Sequence, residues 1–267
     1  MRLMGKLFIN GKIKALTGLT IGGSKTDVAI GDIDNCVIKT SEGVPFIPGS
    51  SLKGKIRSLL EKSEMENILA KNEKSDNGLC NCGRKDCKIC VIFGNSGDKR
   101  EKDAGPTRLV IRDSHLTPET RRKMEEKQGE FRELELIYTE SKWENVINRL
   151  TSRAEHPRQT ERVPRGAEFD FEMVFDFFEK EDIERFYYFI SGLNLLEDDY
   201  LGGSGSRGYG RIEFRDVEIS LKTIEDYQGT NQRHILFSGM LEDFLKQKDD
   251  FEKELIKKLG AEYHEDF

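Results

Sequence analysis

The alternation of apolar and polar residues along the chain marks several strands and two helices. A first strand is predicted over residues 3–16, and the stricter alternation of AEFDFEMVFDF predicts another. RIEFRDVEISL, which follows a glycine-rich run, predicts a third long strand. Helical spacing predicts a helix over residues 47–64, capped by Ser50 or Ser51, and a second helix over residues 179–199.

These elements follow one another in the order β, loop, β, α, β, then β, α, β, once the insertions are set aside. Two β-α-β halves of this kind predict an α+β fold with a ferredoxin-like, RRM-like core. We expect this core to occupy residues 1–224 and to contain an insertion at about residues 64–106. Residues 225–267 are predicted to form a helical tail, with one amphipathic helix from Met240 to Leu259.

The composition is typical of a folded protein with a heavily charged surface. Of the 267 residues, 34% are charged and 36% are hydrophobic, and the net charge is −6. No apolar run reaches the length of a membrane span (about 18 residues) and no signal segment is evident, so we expect a cytoplasmic protein with no membrane partner. The charge is uneven: residues 1–60 carry nine Lys and Arg against four Asp and Glu, whereas residues 168–199 carry two against eleven. Local basic surface can therefore still bind phosphate.

The run YLGGSGSRGYGRI, from Tyr200 to Ile212, contains five glycines and two arginines. Gly203, Gly205 and Gly208 match the G-x-G-x-x-G of dinucleotide-binding folds. That interpretation requires a strand before the glycines and a helix after them, whereas the predicted order here is the reverse. Bare backbone beside Arg207 instead favours the close approach of a polyanion, with a flexible turn as the alternative.

Four of the five cysteines fall in CNCGRKDCKIC, at Cys80, Cys82, Cys87 and Cys90. Four thiolates this close suit one tetrahedral Zn²⁺, which would hold together an insertion with little core of its own. Because C-x-C is a tight spacing, His115 is an alternative to one of the four ligands. Two disulfides or an iron–sulfur cluster are the other interpretations, and a reducing compartment disfavours the disulfides.

Basic and small residues suggest three further phosphate-binding places: the loop of residues 22–25, the start of the first predicted helix, and residues 141–165. Lys53 and Arg57 lie four residues apart on the first predicted helix, and therefore on one face, although an exposed basic face is an equally simple explanation. Residues 141–165 are rich in arginine and could form a hairpin that grips splayed RNA, with a disordered loop as the alternative. The predicted RNA contacts are Gly22, Gly23, Ser24, Lys25, Ser50, Ser51, Lys53, Arg57, Arg149, Arg158, Arg162, Gly203, Gly205, Arg207 and Tyr209.

Several of these stretches together resemble one protein family. IPGSSLKGKIRSLLE, FGNSGDKR, HPRQTERV and DYLGGSGSRGYGRI look like the RAMP superfamily of CRISPR proteins, and within it the repeated backbone subunit of the type III-A effector complex. The resemblance extends from about Leu7 to about Ile219. It implies an RRM-like core with a protruding β-hairpin, called the thumb here, at about residues 138–166. The cysteine-bearing insertion would form a zinc-bound lid on this core.

The resemblance also implies an activity. Copies of the subunit would stack along a guide crRNA beside the other subunits, including the one at the crRNA 5′ end, and would cut paired target RNA at regular intervals. The catalytic aspartate of the family lies in a G-x-I-D motif and corresponds to Asp34, with Asp32 as a second carboxylate. Such a carboxylate can hold Mg²⁺ or Mn²⁺ against the scissile phosphate, or accept the proton itself. The alternatives are a non-catalytic structural filament subunit and a histidine-dependent guide-processing ribonuclease, which the presence of only four histidines disfavours.

Overall fold

The computed structural model of the protein describes residues 1–23, 35–64, 80–95 and 105–259. The strands are β1 (Gly5–Ala15), β2 (Phe46–Ile47), β3 (Leu109–Ile111), β4 (Ser114–Leu116), β5 (Glu140–Ile147), β6 (Ala154–Arg162), β7 (Glu168–Phe177), β8 (Ile212–Thr223) and β9 (His234–Gly239). The helices are α1 (Gly49–Ser63), α2 (Lys88–Phe93), α3 (Pro118–Glu125), α4 (Asp182–Asp198), α5 (Ile224–Gln228), α6 (Leu241–Phe244) and α7 (Lys248–Leu259). The protein is thus of mixed α and β structure, as predicted, and none of the described helices is both long and apolar enough to cross a membrane.

Within the described ranges, β1 lies in the middle of a seven-stranded sheet. The strand order is β2-β4-β7-β1-β8-β9, and β3 also pairs with β7. Every pairing in this sheet is antiparallel. The three long strands predicted from alternation are β1, β7 and β8, and they are neighbours, because each carries an apolar residue at every second position and can share one apolar face.

The two faces of the sheet differ sharply in polarity. On β1, Leu7, Ile9 and Ile13 are fully buried. The alternate residues of β1 point to the opposite face. There Lys6 donates to Asp176 at 2.6 Å, and lysines pair with carboxylates across the strands. The apolar face therefore requires helices to cover it, and the charged face does not.

Helices α1 and α4 pack on the apolar face and on each other. They approach most closely at Gly192, where a Cβ would lie 2.8 Å from Cγ2 of Ile56. The predicted apolar face of α1 is confirmed, but the predicted cap is not. Pro48 is the N-cap residue, and the N–H of Gly49 donates to Asp113 Oδ1 at 2.8 Å, so the two serines lie inside the first turn.

The C-terminal segment contains a strand that the sequence did not predict. β9 pairs with β8 and extends the sheet. The predicted amphipathic helix corresponds to α6, a 3₁₀ turn and α7 in succession. Phe244 and Phe251 from these helices are buried against Phe186 of α4, with ring centroids at 6.1 and 5.8 Å. The segment thus contributes to the same hydrophobic core as the main sheet.

Candidate functional site

Two short backbone segments, residues 16–23 and 35–40, form a stem on either side of residues 24–34. Gly22 and Val37 form an antiparallel bridge, and the N–H of Ile38 donates to the carbonyl of Ile21 at 2.9 Å. The N–H of Gly23 donates to the carbonyl of Cys36, so it is already bonded. The stem therefore holds both ends of the intervening segment side by side. The predicted site residues Ser24, Lys25, Asp32 and Asp34 lie outside the described residues.

The thumb hairpin is formed by β5 and β6, and its tip is apolar and basic. Leu150 is 97% exposed at the turn and Trp143 is 63% exposed on β5. Arg149 is exposed beside Leu150, and Arg158 is exposed on β6 opposite Glu144. Exposed apolar side chains grouped in this way are typical of a surface that contacts another molecule.

The glycine-rich loop is docked against the stem rather than open to solvent. The N–H of Gly203 donates to the carbonyl of Thr20 at 2.8 Å, and that of Gly210 donates to Gly18 at 3.0 Å. Gly202 has a φ of +82°, and a Cβ on it would lie 2.2 Å from the Thr20 oxygen. A Cβ on Gly205 would lie 1.9 Å from the Tyr200 ring. Close packing therefore explains these glycines, and the Gly203 N–H is already bonded within the protein, so the RNA contact of Gly203 stays a prediction.

Tyr209 is buried in this structure, and its contact with RNA stays a prediction. It is 1% exposed, and its hydroxyl donates to Glu144 Oε1 at 2.9 Å. Burial, followed by the bond to Glu144, raises the pKa of this hydroxyl. The Lys142 Nζ and the Arg162 guanidinium lie over its ring at 4.6 and 5.2 Å. Since Lys142, Glu144 and Arg162 belong to β5 and β6, Tyr209 joins the base of the thumb to the glycine-rich loop.

The two arginines near this junction, Arg162 and Arg207, differ in how much of the side chain is exposed to a ligand. Arg162 donates from Nε to Glu140 Oε1 at 2.6 Å, and it packs against Gly18, which leaves little of it exposed. Arg207 donates to the Ser204 hydroxyl, yet 55% of its side chain remains exposed. Arg207 therefore remains available to a phosphate, whereas Arg162 mainly fixes the thumb.

The basic face of α1 is directed partly toward the protein. Lys53 donates from Nζ to the carbonyl of Leu109 at 3.1 Å. Burial, followed by the charge of Arg57, lowers the pKa of the Lys53 ammonium. Ser50 is exposed and Ser51 is partly exposed in the first turn, next to this lysine. These three residues stay candidate phosphate contacts.

Arg57 tethers the cysteine-bearing segment to α1. Its Nε donates to Glu61 at 2.8 Å, Nη1 donates to the Gly94 carbonyl at 3.1 Å, and Nη2 donates to the Cys80 carbonyl at 2.5 Å. The Cys80 N–H donates in turn to Glu61 Oε1. All three guanidinium nitrogens are thus bonded within the protein, so Arg57 serves the fold here, and its contact with phosphate stays a prediction.

The predicted metal ligands converge as the sequence suggested. The Sγ atoms of Cys80, Cys82, Cys87 and Cys90, the four-cysteine group, all lie within 4.8 Å of one another. Cys80 Sγ lies 3.9, 3.3 and 3.7 Å from those of Cys82, Cys87 and Cys90. A tetrahedral Zn²⁺ with Zn–S bonds of about 2.3 Å requires sulfur atoms about 3.8 Å apart. The described residues therefore place these sulfur atoms at the spacing of a zinc site.

The four thiols lie too close together to titrate independently. Hydrogen bonds with Cys80 and then Cys87 lower the pKa of the Cys90 thiol to about 4, whereas hydrogen bonds with Cys87 and then Cys90, together with burial, raise the pKa of Cys80. Four thiolates this close repel one another, so all four can ionise only around a positive ion. The N–H groups of Gly83 and Cys90 donate to sulfur atoms of the group and orient it.

His115, the alternative ligand, lies elsewhere in the structure. It is on β4 in the sheet, and its ring stacks on Phe46 with centroids 5.7 Å apart. It is not a member of the four-cysteine group. The cysteines alone therefore supply the four ligands that the tetrahedral site needs.

The sequence pattern did not single out one buried carboxylate at the base of the thumb. Glu161 is 1% exposed and accepts hydrogen bonds from Val37, Lys39 and Thr139. In sequence it is one more charge in an arginine-rich strand, and nothing local distinguishes it from an exposed glutamate. Only the pairing of β6 with the stem reveals it.

Comparison with known proteins agrees with this arrangement. The sequence pattern of the RAMP superfamily matches residues 12–213. A Methanocaldococcus jannaschii protein named CRISPR system Cms endoribonuclease Csm3 is 41% identical over 262 residues, which cover 97% of this chain and 96% of that protein. A protein of the same name from Methanothermobacter thermautotrophicus is 41% identical over 86% of this chain and 91% of its own length. Among solved structures, a Csm3–Csm4 subcomplex of the type III-A CRISPR-Cas interference complex matches with a TM-score of 0.60 and 33% identity, over 93% of this chain and 97% of that one.

Proposed function

The chain belongs to the RAMP superfamily, and on that premise we propose that it is a backbone subunit of a type III-A CRISPR effector complex, where it binds guide crRNA and cleaves complementary target RNA. The observation that carries the proposal is the 41% identity to a curated endoribonuclease over 97% of the chain. The match covers nearly the whole length of the chain, and so it spans the thumb, the stem and the glycine-rich loop together.

The finer description of the fold belongs to the same proposal. We describe residues 1–224 as a ferredoxin-like, RRM-like core, with an insertion at about residues 64–106, a thumb at about residues 138–166 and a C-terminal segment of residues 225–267. The antiparallel strand order, with β1 between β7 and β8 and two helices on one face, supports this description.

The proposed RNA-binding surface combines the apolar tip of the thumb with several separate cations. Arg149 and Arg158 on the thumb and Arg207 on the glycine-rich loop would neutralise phosphates, while Leu150 and Trp143 would contact bases. The contacts among stem, thumb base and glycine-rich loop support a single continuous surface. Lys55, whose Nζ lies 3.6 Å from the centre of the Tyr200 ring, connects α1 to the same region.

We assign cleavage to Asp34, because it is the aspartate of the G-x-I-D motif of the family. This carboxylate would hold Mg²⁺ or Mn²⁺, and the bound ion would stabilise charge on the scissile phosphate. A single carboxylate leaves most positions of such an ion to water and to phosphate oxygens, so the RNA itself would complete the site. Glu161, a carboxylate next to the stem, is already bonded to three donors and is not a further ligand.

Zinc is the ion that we propose for the four-cysteine group, in a structural role. The spacing of the sulfur atoms and the all-sulfur donor set support it. Cysteines that bind metal need a reducing environment, and this supports a cytoplasmic location. The expected partners are guide crRNA, target RNA, further copies of the chain and other subunits of the complex, including the one at the crRNA 5′ end.

Substitution of Asp34 separates a cutting subunit from a purely structural one. Assembled complex that carries Asp34→Ala should bind complementary RNA with unchanged affinity but cut it about 10²–10⁴-fold more slowly in the presence of Mg²⁺. Asp250→Ala, which removes an exposed carboxylate from α7, is the matched control and should cut at the wild-type rate. Continued periodic cutting by the Asp34→Ala complex would contradict the catalytic assignment.

A further inference from the structure

The side chain of Glu161 holds the segment that returns from residues 24–34. Its Oε2 accepts the Val37 N–H at 3.0 Å, and its Oε1 accepts from Lys39 Nζ at 2.5 Å and from the Thr139 hydroxyl at 2.6 Å. Val37 and Lys39 belong to the stem, and Thr139 directly precedes β5 of the thumb. One buried carboxylate therefore connects the stem to the thumb.

The backbone of the same residue bonds to both sides of the stem. The Glu161 N–H donates to the carbonyl of Asn35 at 2.9 Å, and its carbonyl accepts from the Thr20 hydroxyl at 3.0 Å. Asn35 is further bonded to Gln159 through its own N–H. Asn35 is the first described residue after Asp34, and consecutive Cα atoms are about 3.8 Å apart. Glu161 therefore holds the described residue to which Asp34 is covalently joined.

We propose that Glu161 is a positioning residue for target RNA cleavage: it locks the stem to the thumb, so that the aspartate joined to Asn35 meets the phosphate that the thumb presents. This inference rests on the proposed function, because it takes Asp34 as the group that acts on RNA. In this proposal the thumb positions the RNA, and the stem carries the residue that follows the aspartate. Glu161 holds stem and thumb in one arrangement, and the rate of a reaction between positioned groups depends on such an arrangement.

Three donors converge on this carboxylate, and that convergence makes glutamine an informative replacement. Glutamine has the same length but only one accepting oxygen, so its amide N–H₂ must face at least one of the donors from Val37, Lys39 or Thr139. The stem must then shift away from the thumb while the hydrophobic core remains intact. A displacement of about 1 Å in such a place can slow a reaction about 10²-fold.

The test compares assembled complexes in single-turnover cleavage at saturating target RNA, with target affinity measured separately. Glu161→Gln should cut about 10²-fold more slowly, at the same positions, and bind target with an affinity within about twofold of wild type. Glu172→Gln, which removes a carboxylate paired with Arg112 on the charged face of β7, is the matched control and should cut normally. Thr139→Val removes one of the three donors and should slow cutting to a smaller degree without changing affinity.

Wild-type cutting by Glu161→Gln, or a parallel loss of affinity and cutting, would overturn the inference in favour of a merely structural glutamate. If the Glu161→Gln chain does not assemble, Thr139→Val decides the matter, because slowed cutting at unchanged affinity supports positioning and a normal rate rejects it. Asp34→Ala, measured alongside, reports on the proposed function alone. Its failure to stop cutting would overturn the catalytic assignment, while the comparison of Glu161→Gln with Glu172→Gln would still decide the role of Glu161.

Discussion

At the scale of a single residue, the partly buried charge of Lys53 lowers the stability of the folded state. Its ammonium is partly buried, its bonded partner is the neutral Leu109 carbonyl, and the nearby Arg57 repels it. A lysine whose pKa is lowered in the folded state destabilises that state at every pH below the lowered pKa. A residue of this kind is more readily explained by a ligand than by the fold.

Replacement of Lys53 by methionine separates these two roles. Because the buried charge is removed, the free energy of unfolding of Lys53→Met should rise or stay within about 0.5 kcal/mol of wild type. If the ammonium binds one phosphate of a single strand, the slope of log affinity against log salt should decrease by about 0.7. Lys62→Met, in the last turn of the same helix, is the matched control and should leave the slope unchanged. A less stable variant with an unaltered slope would show that the lysine serves only the fold.

Residue types alone indicated what each side chain can bind, but not which partner it meets. Tyr209 and Arg57 have the chemistry of RNA contacts, yet the first is buried against Glu144 and the second is bonded to Glu61 and two carbonyls. The partners come from distant parts of the chain, so no local pattern could reveal them. The cysteines were predictable, since all four metal ligands lie within one short stretch.

At the scale of elements, the thumb is a hairpin whose tip is stabilised from within. The Asn148 side chain accepts from the N–H groups of Leu150 and Thr151 at 3.0 and 3.1 Å, which orders the turn. Leu150 itself makes no contribution to a core, because 97% of its surface is exposed. The turn is thus held in place to present an apolar side chain outward.

This geometry predicts separate effects on folding and on binding for Leu150→Ser. The free energy of unfolding should stay within about 0.5 kcal/mol of wild type, because the side chain is exposed. Full burial of a leucine against RNA bases is worth about 1.5–3 kcal/mol, so affinity for target RNA in the assembled complex should fall roughly 10–100-fold. Leu245→Ser removes another exposed leucine, far along the chain from the thumb, and should affect neither quantity. Equal affinity for the two variants would mean that the tip does not touch RNA.

The elements that sequence predicted well are those with a strong period. β1, β7 and β8 alternate over ten or more residues, and α1 and α4 carry continuous apolar faces. β9 has only six residues and a weak alternation, and its place is set by pairing with β8. Tertiary context, rather than local pattern, therefore decided the C-terminal strand.

At the scale of the whole molecule, the segment that carries the four-cysteine group is joined to the core by hydrogen bonds and by α2. Arg57 and Glu61 connect it to α1 through Cys80 and Gly94, and Arg185 of α4 donates to the Lys85 carbonyl at 3.3 Å. α2 buries Ile89, Ile92 and Phe93 in the main core. With the proposed zinc ion in place, order in this segment would depend jointly on that ion and on α1, whose first turn belongs to the candidate RNA surface.

Metal content and thermal stability should therefore change together. Purified protein should contain one zinc ion per chain, and a strong chelator should lower Tm by about 10 °C, since a ligand present at about 1,000 times its Kd contributes about 4 kcal/mol. Cys87→Ser should reproduce the loss of both metal and stability, because three thiolates do not fill a tetrahedral structural site. Cys36→Ser, outside the group, should retain full zinc and the wild-type Tm. If the purified wild-type protein contains almost no zinc, the four thiols stabilise the segment without an ion.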